Sequence, residues 1–112
     1  PILLSDWVQP GTHITAVGAD APGKQELDID LVAHADLLVV DLAKQCLDHG
    51  EVSHAAKSNL VKPDDLQELG SILSGIAPGR INNAQITIAD LTGIAAQDIA
   101  MANVVLAATE KK

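Results

Sequence analysis

The chain has 112 residues, with 7 Lys and Arg against 15 Asp and Glu, for a formal net charge of −8. One domain is expected, because domains run about 100–200 residues and a chain of this size buries roughly two-thirds of its unfolded surface. The acidic balance argues against nucleic acid as a partner. A phosphate-binding surface needs clustered cations, whereas Arg80 stands alone and the lysines are scattered; with Phe and Tyr absent, Trp7 is the one aromatic available for base stacking.

No apolar run approaches the ~18 residues of a membrane span, and no basic segment leads into a signal-like apolar stretch. Cys46 is the single cysteine and has no internal disulfide partner, so a reducing, cytoplasmic setting is expected. The chain opens on Pro1 rather than Met, which leads us to expect a trimmed chain or a piece of a longer one. The core must be built from Leu, Ile, Val and Ala.

Taken in chain order, the first strand is expected at His13–Val17, after the turn residues Pro10-Gly11. It runs into Gly18-Ala19-Asp20-Ala21-Pro22-Gly23-Lys24, a loop whose glycines permit close backbone approach. Asp28 suits the N-cap of a short helix over Ile29–Ala35. Leu37–Asp41 is a continuous apolar run ending in a carboxylate, as in a strand covered on both faces. Gln45–Ser58 reads as a helix bent near Gly50. Pro63 suits the first position of a further helix, with Asp64 and Asp65 in its first turn and a stop near Gly75. Ile86–Asp90 is the third strand. Ile94 to about Thr109 forms a last helix, apolar nearly all round and therefore expected to be buried on more than one side.

Alternating strands and helices imply an α/β fold with a parallel sheet of about three strands, helices on both faces and the strands in sequential order. Ligands of such sheets bind beyond the carboxyl ends of the strands. That rule selects the loop around Asp20, the end of the second strand at Asp41, and Asp90-Leu91-Thr92-Gly93 at the start of the last helix.

Asp20 has two readings. Shielded by a cofactor or a second domain, its carboxyl would rise in pKa and serve as an acid or base. It also suits a plain turn aspartate before Pro-Gly. Lys24 either pairs with Asp20 or a ligand anion, or is a solvated charge. Glu26 and Asp28 most simply begin the next helix. Thr92 is a good N-cap, and the N–H groups behind it can receive an anion or an amide; capping alone also accounts for it. His13, His34, His49 and His54 lack metal-ligand spacing, so no metal site is expected. Cys46, three residues before His49, is either a thiol nucleophile or a buried small apolar group. No Gly-x-Gly-x-x-Gly follows a strand, so the phosphate-cradling half of a dinucleotide fold is not in this chain.

The order of these residues is familiar. Trp7-Val-Gln-Pro-Gly-Thr-His-Ile-Thr-Ala-Val-Gly-Ala-Asp20 continues into Ala-Pro-Gly-Lys-Gln-Glu-Leu-Asp28. Asp41, Gln45-Cys46, Gly50-Glu51, Glu68-Leu69-Gly70, Pro78-Gly79-Arg80 and Asp90-Leu91-Thr92-Gly93 with Gln97-Asp98 follow. From about Leu4 to Ala108 the sequence resembles the C-terminal part of the ornithine cyclodeaminase/μ-crystallin family. The resemblance implies that residues 1–112 form the C-terminal half of a Rossmann-type NAD(P)-binding domain, a partial three-layer sandwich. Family members are dinucleotide enzymes, among them ornithine cyclodeaminases, alanine dehydrogenases and imine reductases, acting on amino or imino acids.

By that resemblance Asp20 is the acid/base beside the nicotinamide. Val17, Gly18 and Ala19 line the nicotinamide side, and Leu91 and Thr92 lie near the carboxamide. The family often has Ser where Leu91 stands. Its substrate-binding Lys and Arg residues and its glycine-rich phosphate loop precede this region, so the chain alone is expected not to turn over ornithine. Its first strand is expected to be an open edge, covered by a second copy in a homodimer or by the missing N-terminal segment. A second reading is non-enzymatic: a self-associating or partner-binding module derived from that family. A third is a small-anion site at the Thr92 helix start.

Overall fold

A computed structural model describes Pro1–Glu110. Four parallel strands form one sheet: β1 (His13–Ala16), β2 (Leu37–Val40), β3 (Leu66–Glu68) and β4 (Thr87–Asp90), in the order β1-β4-β2-β3. The α/β class and the parallel sheet are as expected, with four strands rather than about three. The sequential order is corrected, because β4 inserts between β1 and β2. The side chains account for this placement. Ile88 is fully buried and needs cover from neighbours on both sides, whereas His13 and Thr15 of β1 stay exposed and suit an edge.

The register pairs Ala16 with Asp90, Asp90 with Val40 and Val40 with Glu68. The carboxyl ends of all four strands therefore lie in one row. β1 is the open edge anticipated from the sequence.

Among the described residues five α-helices accompany the sheet: α1 (Ile29–Ala33), α2 (Ala43–His49), α3 (Glu51–Lys57), α4 (Leu69–Leu73) and α5 (Ala95–Glu110). Asp28 caps α1 as its sequence suggests, its side chain accepting from the Asp30 N–H. The helix expected over Gln45–Ser58 is two helices, broken at Gly50, whose extended backbone ends one and starts the other. The helix expected from Pro63 to Gly75 is also corrected. Pro63–Asp65 is a single 3-10 turn closed by Asp65 accepting from the Lys62 N–H at 2.7 Å, and Leu66–Glu68 extends to pair with β2. Alternation over three residues gave no signal distinguishable from a helix start.

One face of the sheet packs through Ala16, Leu38, Val40 and Ile88 against Leu31, Val32, Cys46, Val52 and Ala55 of α1 to α3. No aromatic enters this core. On the other face α4 sets Leu69 and Ile72 over Leu37, Val39 and Ala89, leaving a cavity of about 330 Å³.

The last helix departs most from expectation. Every residue of α5 is exposed, with Ile99, Met101, Val104, Val105 and Leu106 all more than half accessible. An apolar helix is buried when something is present to cover it, and no described element of this chain packs on α5. No helix among the described residues is long and apolar enough to cross a membrane.

Candidate functional site

The row of strand ends fixes where chemistry can occur. β1 and β4 are hydrogen-bonded neighbours, and the Leu91 N–H donates to the Ala16 carbonyl at 2.9 Å. The loop after β1, carrying Val17 to Asp20, and the loop after β4, carrying Leu91 to Gly93, thus leave the sheet side by side. α2 borders both. Its Gln45 side chain donates from Nε2 to the Thr92 hydroxyl at 2.9 Å and to the Gly93 carbonyl at 2.7 Å. A surface cavity of about 410 Å³ lies along α2, lined by Leu42, Lys44, Gln45, Asp48 and His49 and by no residue of either loop.

The β4 loop is held by Asp41 at the end of β2. Its carboxylate accepts from the Thr92 hydroxyl at 3.1 Å, the Gly93 N–H at 2.8 Å and the Leu42 N–H at 2.9 Å, with the Cys46 thiol at 3.2 Å. Burial works against its charge, but these donors outweigh burial and hold the carboxyl below its ordinary range. Thr92 is buried and its hydroxyl is taken by Asp41, so it does not cap α5, which begins three residues later at Ala95. The expectation that Thr92 is that helix's N-cap is corrected, and with it the argument for an anion site there.

Burial pushes the Cys46 thiol up to about 12. Fully inaccessible, it packs as a small apolar group, and the alternative of a thiol nucleophile is set aside.

Asp20 sits on the outer part of the β1 loop. It is more than half exposed and forms an ion pair with Lys24 at 2.6 Å. The hydrogen bond and charge of Lys24 hold its carboxyl below the ordinary range. The rise in pKa that shielding would bring is therefore not present in this chain, where solvent reaches the group. Val17 is 62% exposed beside it, and Ala19 turns inward to 2% exposure.

Gly18 donates its N–H to Glu26 at 2.9 Å. A side chain on Gly18 would meet that same carboxylate, so the bond from Glu26 in its present position requires glycine or a shift of the Glu26 side chain. Glu26 thus anchors the loop and does not begin α1.

Glu51 and Asp90 were not singled out for these roles by sequence reasoning. Glu51 is fully buried and accepts the N–H groups of Glu26 at 2.8 Å and Leu27 at 3.0 Å. Asp90, also buried, accepts the Val52 N–H at 3.0 Å and closes the start of α3 from the end of β4. Burial pushes its carboxyl up to about 6, beyond what its backbone donors offset. A usable signal exists for Glu51: it lies at the first position of a helix directly after Gly50 and beside Val52, where a buried charge needs a specific partner.

Among the described residues no group of three or more His, Cys, Asp or Glu side chains is arranged to hold a metal ion. The exposed Val17 and half-buried Leu91 flank neighbouring loops, and open space surrounds Gly93. Among the described residues no glycine-rich turn of the Gly-x-Gly-x-x-Gly kind joins a strand to a helix.

The sequence profile of the ornithine cyclodeaminase/mu-crystallin family matches residues 1–112. The chain belongs to that family. It is 42% identical over 106 residues to the alanine dehydrogenase of Archaeoglobus fulgidus, covering 94% of this chain and 33% of that protein. To the iminosuccinate reductase of Paracoccus denitrificans it is 41% identical over 112 residues.

The crystal structure of that iminosuccinate reductase in complex with NAD+ superposes with a TM-score of 0.92 at 40% identity, over 99% of this chain and 34% of that one. An archaeal alanine dehydrogenase dimer with bound NAD gives 0.87 at 40% identity, over 94% and 33%. The chain spans about a third of the length of the relatives it matches. It is homologous to the NAD-binding region of these enzymes and shares its Rossmann-like architecture.

Proposed function

We propose that this chain, a single domain, supplies the nicotinamide-side half of a NAD- or NADP-dependent site in an enzyme acting on a small amino or imino acid. The observation that supports this reading most directly is the bond between Leu91 and Ala16, which brings the loops bearing Val17, Gly18, Ala19 and Asp20 and bearing Leu91 and Thr92 to one rim. When bound, the nicotinamide supplies hydride transfer. Val17, Gly18 and Ala19 form one wall for it, and Leu91 with Thr92 the other, Leu91 through its backbone and apolar side chain in place of a hydroxyl.

Asp20 is the acid/base. Ionised through its pairing with Lys24, its carboxylate takes a proton from a substrate nitrogen or carbon. The acid role follows when a covering segment removes water and raises its pKa. The phosphate cradle and the cations for a substrate carboxylate lie outside these residues, so the chain alone is inactive.

Association completes the structure. The open edge of β1 and the apolar α5 are covered by a second copy or by the longer protein's preceding segment, in a cytoplasmic enzyme. These two exposed features equally favour a second reading, a module that associates without catalysis. Calorimetric titration with NAD(H) and NADP(H), on the chain alone and combined with the segment its relatives carry, separates the two. Heat of binding in the combined sample is the expected result. Its absence, with the two parts shown to be associated, rejects the cofactor reading.

A further inference from the structure

We propose that Glu51 and Glu26 are positioning residues that set the β1 loop, and Asp20 with it, through a two-step relay of carboxylates onto backbone N–H groups. The proposal rests on reading that loop as a wall of the cofactor site. In the first step both Glu51 oxygens are used, Oε1 by the Glu26 N–H at 2.8 Å and Oε2 by the Leu27 N–H at 3.0 Å. Glu51 is fully buried at the first position of α3, where the helix dipole favours its charge. It therefore fixes the returning end of the loop against the core. In the second step the side chain of Glu26 reaches back to the Gly18 N–H at 2.9 Å, at the loop's outgoing end.

The two steps clamp residues 18 and 26 together and leave the intervening turn, with Asp20 and Lys24, projecting from the rim. A third contact agrees with this arrangement. The His54 ring, three residues on from Glu51, lies 2.7 Å from the Lys24 carbonyl, so α3 touches the loop at its middle as well as its base. The same helix start is held from the other side by Asp90 of β4. The start of α3 is thus the common reference for both loops of the site. A surface ion pair such as Asp20–Lys24 supplies little fixing of its own.

The test uses amide hydrogen exchange and carboxyl NMR titration of the 112-residue chain and its variants. Glu26→Ala is expected to speed exchange at the Gly18 N–H about tenfold or more, with Ile88 in β4 unchanged, and to move the Asp20 titration up toward the ordinary carboxyl range as its pairing with Lys24 loosens. Glu51→Gln keeps one accepting oxygen and is expected to speed exchange at only one of Glu26 and Leu27, with a smaller effect at Gly18. Exchange at Gly18 and the titration of Asp20 both unchanged in Glu26→Ala would overturn the proposal. So would a uniform rise in exchange across Gly18 and Ile88 alike, which marks general loss of stability. These readouts need no nucleotide, so they stand or fall separately from the cofactor reading.

Discussion

Gly50 is the residue whose replacement the structure prices most directly. Its backbone is extended, at φ −131° and ψ −177°, a conformation alanine adopts without strain. The effect of Gly50→Ala is therefore steric. An added Cβ would lie 3.0 Å from the Asp90 Cγ and 3.1 Å from Oδ1, with Oδ2 nearer still. Asp90 is fully buried at the end of a central strand and has no route to solvent. Moving the carboxylate aside breaks its bond to the Val52 N–H and leaves both groups buried without partners, at about 1–3 kcal/mol. Overpacking adds about 1–3 kcal/mol. The expected loss is about 2–6 kcal/mol, a large part of the roughly 5–15 kcal/mol that holds a domain of this kind together.

Urea denaturation followed by far-UV circular dichroism reads it as a lower midpoint at unchanged slope. Gly70→Ala is the control. That glycine lies in α4 with nothing within 4 Å of an added Cβ, and the substitution is expected to be neutral or stabilising by about 0.5–1 kcal/mol. A Gly50→Ala chain within about 0.5 kcal/mol of the parent would refute the close packing of Asp90 on the start of α3.

Other outcomes follow from the same carboxylates. With its carboxyl at about 6 in the folded chain against an ordinary 3.8, Asp90 stays protonated where the unfolded chain has already released its proton. Its contribution is full below about pH 4 and is lost as pH rises through about 6, by about 3 kcal/mol for two units. Asp90→Asn is expected to flatten that fall in denaturation midpoints, and an unchanged slope would contradict the assignment. Thr92→Val removes the hydroxyl that joins Asp41 to Gln45 and is expected to cost about 1–2 kcal/mol and to raise the Asp41 titration toward the ordinary value, as read by urea denaturation and carboxyl NMR. Cys46, buried with its thiol held at about 12, is expected to resist a thiol reagent at pH 8 in the folded chain and to react fully in denaturant; fast labelling of folded protein would show the pocket to be open.

What the sequence displayed was what local pattern encodes. Leu37–Val40 reads as a buried strand because every position is apolar, and Asp28 reads as a cap because its carboxylate acts two residues away. The rim loops were legible through Gly18, Asp20 and Thr92, residues whose types suit turns at strand ends, and through the family resemblance they carry. The insertion of β4 between β1 and β2 was not legible, since strand order is decided by which faces find cover far along the chain. Neither were the bonds from Glu51 to residues 24 and 25 positions away, nor that from Asp90 to Val52. Long-range capping of this kind leaves no local pattern in the sequence. For α5 the sequence reads correctly as a helix, but the burial expected of it is not found, since every one of its residues is exposed.

The most direct measurement is a two-dimensional amide NMR titration of the labelled chain with NAD+, carried to about 10 mM because half a site binds weakly. Shifts are expected at Val17, Gly18, Ala19, Asp20, Leu91, Thr92 and Gly93, with none on α4 or at the amino ends of the strands. Shifts gathered elsewhere on the molecule, or no change at any of these seven amides, would contradict the assignment of the rim to the nicotinamide.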